Sequence, residues 1–388
     1  MLDPSPSAPS LRRVSTWLVG FVGGVLIGAS ALGGLAWATR SEPALAGEPA
    51  SAPRPATSAE TTPTPLSCPS LPADPVAAAE HVVAAAPDGW LAGDLTNSVD
   101  LPDGRRLWMF GDTFFGSLDT TGAMAPGWRM DRNSALVEGD GCVDLAPRHG
   151  RQGWITAPDA GHHLWPGDGW AHDRDVTVFL HDLATTGGGP LSFRPAGMQI
   201  ATLTLPDLRL ASLVPSPYDD PDRTWGSSVV ESGSWTYLFA WTHGGPGTYV
   251  ARTTADDVAQ RWQFWTGGQW EWDALDDAVP VIEYGRFNNV AVSALPDGRL
   301  LAVAKDHEML GSDVLAWVAD RPEGPWTALG TVAPAPSDGG WTYMASVHNG
   351  GPTGTPVLAY NVNTPDLADL TSGRVRYGAR FRPLHLPR

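Results

Sequence analysis

The sequence predicts an all-β, five-bladed β-propeller behind an N-terminal signal or anchor helix and a Pro/Ala/Ser/Thr linker. Three observations predict it. Beyond about residue 86 the chain consists of short β-type runs between turn signals, among them Leu107–Phe110, Val176–Leu180, Tyr237–Trp241, Leu300–Val303 and Val357–Tyr360. A hairpin signature, Leu101-Pro-Asp-Gly-Arg105, recurs as Leu295-Pro-Asp-Gly-Arg299, an offset of 194 residues. Near the C-terminus, Arg374–Phe381 alternates Val375, Tyr377, Ala379 and Phe381 against Arg374, Arg376 and Arg380, as a half-buried strand does.

The repeat carries the architecture. In Pro-Asp-Gly the proline presets φ and the glycine takes the positive φ, so each copy marks a hairpin. The match continues with Leu107 against Leu301 and Asp112 against Asp306. Ser232-Gly-Ser234 before Trp235 reads as a third hairpin of this kind. The offset equals about three units of ~65 residues, and the domain accommodates five such units, as radially repeated sheets would. A two-sheet sandwich is the alternative.

Three regions follow in order along the chain. Residues 1–46 read as a signal peptide or membrane anchor. Arg12 and Arg13 precede an uncharged apolar run from Trp17 to Ala38, which is long enough to span a bilayer. Cleavage after Ala38 or Ala46 and retention as an anchor are both open. Residues 47–74 lack the apolar content for a core and read as a disordered spacer. Residues 75–388 form the propeller domain, opened by an Ala-rich helix over Pro75–Ala86. Cys68 and Cys142, the two cysteines, are expected to pair in an oxidising compartment; two buried thiols is the alternative.

Composition narrows the partners. The net charge is −17 and Lys305 is the one lysine, which excludes a phosphate-binding surface for nucleic acid. Eighteen tryptophans supply flat apolar faces suited either to a β core or to stacking on sugar rings. No nucleophile-elbow, Walker A or dinucleotide fingerprint occurs. Asp219-Asp-Pro-Asp222 lacks the calcium-loop pattern. His162-His163 with His172, Asp173 and Asp175 matches no standard zinc spacing, so no metal and no cofactor is expected.

Two carboxylates carry the chemistry. Asp94 stands at the head of the first channel-lining strand, with Asn288 at the equivalent position of the fourth unit. Asp112 lies between Phe110 and Phe114, a setting expected to desolvate it, raise its pKa and make it the general acid. Asp94 is then the ionised partner, and the two roles can be exchanged.

Trp108-Met-Phe-Gly-Asp-Thr-Phe-Phe-Gly116, Arg132-Asn-Ser134, Trp165-Pro-Gly-Asp-Gly169 and Tyr360-Asn-Val-Asn363 resemble the signatures of domain of unknown function 4185, whose members are placed in glycoside hydrolase family 183, the endo-D-arabinanases. The resemblance covers roughly residues 85–385. It implies a five-bladed propeller, cleavage of α-D-arabinofuranosyl links in mycobacterial-type cell-wall arabinan, and paired acids that land on Asp94 and Asp112. A His-Pro pair associated with the last blade is His348-Asn349 here. Candidate substrate-binding residues are Arg132, Asn133, Asp168, Trp225, His348 and Asn361. The expected function is an exported glycoside hydrolase of the cell envelope acting on a wall polysaccharide. It is expected to be monomeric and to meet the membrane through the N-terminal segment. The alternative is a non-catalytic glycan-binding propeller.

Overall fold

The computed structural model describes residues 68–386 except 88, 188–191, 219, 243–246, 284–288, 308 and 351–354. The export segment 1–46, most of the spacer 47–74, and Asn288 lie outside the described residues. Among the described residues no helix is long and apolar enough to cross a membrane.

The domain is all-β and propeller-like. Among the described residues the chain forms five antiparallel meanders in succession. The first contains Asn97–Asp100, Arg106–Phe110, Ser134–Gly139 and Cys142–Leu145. The second contains His162–His172, Asp175–Thr185, Phe193–Thr204 and Arg209–Pro215. The third runs Arg223–Ser232, Trp235–Thr242, Thr248–Thr253, Gln263–Trp265 and Trp270–Trp272. The fourth has Val290–Ala294, Leu300–Lys305, Asp313–Ala319 and Thr327–Pro334, and the fifth Trp341–Gly350, Thr355–Asn363 and Gly378–Pro383. The first strand of each sheet contacts the first strand of the next, and Trp341–Gly350 returns to Asn97–Asp100. The order closes on itself.

The core is divided accordingly. Separate apolar clusters lie between successive sheets: Leu107 and Met109 with Leu164 and Leu180, Phe179 and Ile200 with Leu238, Phe239 with Val292 and Leu300, Leu301 and Val303 with Leu358 and Tyr360. The last, Trp108 and Leu136 with Val357 and Phe381, is capped by the helix Pro75–Ala84 through Ala79 and Val82. Sheets covered on both faces read as continuous apolar runs, which is why Leu300–Lys305 is buried along its whole length. Trp90, Trp108, Trp154, Trp170, Trp225, Trp262 and Trp317 are buried in this packing.

The two hairpins match bond for bond. Leu101 N donates to Arg105 O at 2.8 Å and Leu295 N to Arg299 O at 2.7 Å. Gly104 and Gly298 take φ of 86° and 87°. Each aspartate accepts from its arginine's backbone N–H at 3.1 Å. The turn at Gly233 occupies the same place in the third sheet but is tighter, because Ser232 pairs directly with Trp235. The expected strand Arg374–Phe381 is shorter and later. Val375, Tyr377 and Phe381 are buried as the alternation requires, but Gly378, at φ 97°, delays pairing to Gly378–Pro383. A Cβ on Gly378 would lie 2.8 Å from Gly93 O, so the last strand approaches the first described one at backbone distance. The disulfide Cys68–Cys142 is formed and ties the segment before the helix to the outer strand of the first sheet.

Candidate active site

A sixth, small sheet positions the carboxylates. Its strands are Trp90–Gly93, Thr113–Phe115 and Arg129–Asp131, paired with Gly93 opposite Thr113 and Thr113 opposite Asp131. Each is joined to a strand of the first meander by a short break in the ladder. The residues at those breaks are Asp94, Asp112 and Arg132, one step beyond the paired row. Asp94 N donates to Asp112 O at 3.3 Å and Gly111 N to Asp94 O at 2.8 Å. Leu95 takes φ 54° to make the first break. At the second, a Cβ on Gly111 would lie 2.7 Å from Asp94 Oδ1 and 2.5 Å from Leu95 Cδ1. Glycine is required there because the neighbouring carboxylate fills the space.

The pair is asymmetric. Asp94 is 5% exposed. Tyr343 Oη donates to its Oδ2 at 2.6 Å, and Asn363 Nδ2 donates to Tyr343 Oη at 3.3 Å. Oδ1 is buried with no partner among the described residues. Burial, and then the charge of Asp112, push Asp94 up to about 7 against the pull of Tyr343 and Tyr377. The Asp112 side chain is 18% exposed. Arg132 Nη1 lies 3.4 Å from both its oxygens and Trp165 Nε1 donates to Oδ1 at 3.2 Å. Tyr377 Oη donates to the Asp112 backbone oxygen at 2.7 Å. Burial raises Asp112 as well, but Arg132 and Trp165 oppose it. The desolvation expected of Asp112 is present, and Asp94 is the more buried of the two. Phe110 and Phe114 turn into the cores on either side while Asp112 faces a cation, so the charge of Arg132 opposes the rise at Asp112 where the charge of Asp112 adds to it at Asp94.

A family model described as Domain of unknown function (DUF5005) matches residues 84–385. The chain belongs to this family. The sequence resemblance pointed instead to domain of unknown function 4185. Its most specific block, Gly-Asp-Thr-Phe, is set by local packing at Gly111 and by Thr113, whose Oγ1 donates to Gly111 O at 2.8 Å. No curated protein matches the chain. The DUF5005 domain shares its fold with a Bacteroides ovatus protein provisionally described as a hydrolase: 20% identity, TM-score 0.64, covering 76% of this chain and 86% of that one. Weaker likenesses include a GH43_1 enzyme from Xanthomonas citri in complex with xylose (16% identity, TM-score 0.44, 79% and 92% covered). Another is an endo-arabinase from Bacteroides thetaiotaomicron (11%, TM-score 0.43, 76% and 95%). Both fall below the level at which a common fold follows.

The other sequence-derived candidates divide. Within the DUF5005 domain, Arg132 alone joins the pair. Asp168 lies in the central channel, where Oδ2 accepts from Val229 N and Oδ1 from Gly169 N, both at 2.8 Å. Burial pushes it up to about 7. It lines a cavity of about 270 Å³ with Ser98, Ser228, Ser293 and Ser346. Asn133 is consumed as a stitch, donating to Ile155 O and Leu164 O and accepting from Ile155 N. Trp225 is 2% exposed and packs edge-on against Trp262 and Phe264, so neither face is open for stacking. His348 lies on Trp108 with its ring nitrogens on Ser98 Oγ and Ser346 Oγ, and burial pushes it down to about 3. Asn361 accepts from Thr96 Oγ1 and donates to Met344 O.

Tyr343, Tyr377, Trp165 and Asn363 belong to the site and were not among the candidates. Trp165 and Asn363 stood inside the motifs already quoted; the tyrosines carry no local signal. Of His162, His163, His172, Asp173 and Asp175, which were not expected to hold a metal, His172 Nε2 lies 3.5 Å from Asp173 Oδ2 and His162 meets acids outside the set. Asp159, His162 and Asp182 place one ligand atom each within 4.8 Å of one another, with His162 Nδ1 on Asp182 Oδ1 at 2.8 Å.

Proposed function

We propose that the chain is an exported glycoside hydrolase that cleaves arabinofuranosyl links in cell-wall arabinan, on a five-bladed propeller whose blades are the five meanders. The observation that carries this is the pair itself: two adjacent carboxyls, one buried with its pKa raised and the other facing a guanidinium. Hydrolysis of a glycosidic bond requires an acid for the leaving oxygen and a carboxylate that either activates water or attacks the anomeric carbon. Asp94 Oδ1, free of partners among the described residues, donates the proton. Asp112, balanced by Arg132, supplies the negative group. The water's hydroxyl then joins the anomeric carbon. The water's proton goes to the carboxylate that activates it, Asp112 in a direct displacement or Asp94 after a covalent intermediate on Asp112, and exchange with solvent restores the protonated Asp94. The arabinan assignment is supported by the resemblance of the motifs around Asp112 and by the apolar N-terminal run, which fits export toward a wall polymer.

Incubation of the full chain with purified arabinogalactan tests this. Release of arabinofuranosyl oligosaccharides by the wild type, lost in Asp94→Asn and Asp112→Asn, is the expected result. Binding without release overturns it and favours the glycan-binding alternative; release that both variants retain removes Asp94 and Asp112 from the chemistry.

A further inference from the structure

Tyr343 is aimed at Asp94 by an irregularity in its own strand. Pairing between Trp341–Gly350 and Thr355–Asn363 shifts between Tyr343 and Ser346, and Met344 sits at φ 48°. A bulge of this kind re-aims a side chain. A phenol has one proton to give. Here it goes to Asp94 Oδ2 at 2.6 Å, while the phenol oxygen accepts from Asn363 Nδ2 at 3.3 Å. Asn363 is in turn oriented by its own Oδ1, which accepts from Thr364 N at 2.7 Å. The chain of donors therefore runs Thr364, Asn363, Tyr343, Asp94, and all of its bonds point toward the carboxyl.

We infer that Tyr343, oriented by Asn363, is a positioning residue that reserves Oδ2 of Asp94 as an acceptor and so places the catalytic proton on Oδ1. This rests on the hydrolase reading of the pair. With Oδ2 occupied by an incoming proton, a second hydrogen there has no room in the bond, and Oδ1 is the oxygen left to carry it. The groups facing Asp94 are Asp112 from the small sheet, with Arg132 behind it, and Tyr343 and Tyr377 from the fifth sheet and the segment before its last strand. Of these, Tyr343 and Tyr377 are the donors, and Tyr377 spends its proton on the Asp112 backbone oxygen. Tyr377 also lies close enough to favour the ionised Asp94, but the short, well-aligned bond to the carboxyl, at 2.6 Å, is that of Tyr343.

The experiment is a ¹³C carboxyl NMR titration of aspartate-labelled full-length protein, wild type and Tyr343→Phe, with Asp94→Asn identifying the resonance. It is paired with the pH dependence of arabinogalactan cleavage. Removing a donor to the charged form raises the Asp94 midpoint, by about one pH unit or more for a bond to a charged group. The alkaline limb of activity moves up with it, and Asn363→Ala shifts both in the same direction by less. An unmoved midpoint in a folded Tyr343→Phe protein overturns the inference, because a merely structural tyrosine would change the melting temperature and not the titration. The titration needs no turnover. A wild type that cleaves nothing therefore defeats the hydrolase reading while leaving the tyrosine's effect on Asp94 separately measured.

Discussion

The first and fourth sheets open with the same hairpin and part company at its far end. In both, Pro-Asp-Gly-Arg makes the same turn with the same bonds, and the second strand begins with matched leucines, Leu107 and Leu301. In the fourth sheet that strand ends at Lys305, buried with its Nζ on Asp306 O and Gly311 O, and a short loop leads to Asp313–Ala319. In the first sheet the residue equivalent to Lys305 is Gly111, and the chain makes an excursion through Thr113–Phe115 and Arg129–Asp131 before returning at Ser134–Gly139. The aspartates equivalent in sequence differ in setting. Asp306 lies beside His307, while Asp112 lies between Arg132, Trp165 and the buried Asp94. The repeat supplies the scaffold; the interruption of the repeat supplies the paired carboxyls.

The largest expected effect separates those two aspartates. Asp112→Asn and Asp94→Asn each lower turnover by about 10²–10⁴-fold with the fold intact, as loss of a general acid or base does. Asp306→Asn leaves it unchanged, as steady-state rates on arabinogalactan will read. Equal losses at Asp112 and Asp306 would erase the comparison. The first sheet is also pinned where the fourth is not. Reducing Cys68–Cys142 costs up to ~4 kcal/mol in the chain-entropy model for a separation of 74 residues, measurable by denaturant unfolding with and without reductant. Next in size is Gly111→Ala, whose methyl would meet Leu95 and the Asp94 carboxyl. Overpacking of this kind costs about 1–3 kcal/mol and displaces Asp94, so stability and activity fall together. Gly298→Ala strains only the hairpin at φ 87° and leaves activity alone.

The smallest effect sharpens the roles within the pair. Arg132 holds Asp112 down and is itself partly exposed. Asp112 works ionised, so activity appears as pH rises through its pKa. Arg132→Gln raises that pKa and moves the acid limb to higher pH, by less than about one unit for a solvent-screened pair. A shift to lower pH, or of the alkaline limb alone, would assign the charge to the other carboxyl. Stability has the opposite pH signature at Asp94. Its folded pKa is raised above the unfolded value, so the folded state binds more protons between the two. Stability is therefore lost as pH climbs from about 4 toward 7. Asp94→Asn should remove that slope in thermal melts.

Much of the scaffold was legible in the residues. Pro-Asp-Gly imposes its turn locally, apolar runs betray strands covered on both faces, and two cysteines outside the apolar run pair. The small sheet was not legible, since its strands are three or four residues long and pair across breaks that no periodicity marks. The desolvation of Asp112 was legible from Phe110 and Phe114, and burial does raise it; Arg132 and Trp165, which oppose that rise, arrive through tertiary pairing and were not. Trp225 was a candidate for stacking on a sugar, but the acidic segment before it folds over it, with Asp220 Oδ2 accepting from its indole N–H at 2.7 Å. Tyr343 stands 249 residues from Asp94, and nothing near either announces the bond.

The central claim is that Asp94 gives the proton and Asp112 supplies the negative group. Leaving-group chemistry tests it most directly. A dinitrophenolate leaves without protonation, so an enzyme lacking only its acid still cleaves a 2,4-dinitrophenyl arabinofuranosyl oligosaccharide. Measured against arabinogalactan, Asp94→Asn should lose the polymer and keep the aryl substrate, while Asp112→Asn loses both. Retention of aryl cleavage by Asp112→Asn and its loss in Asp94→Asn would contradict the account.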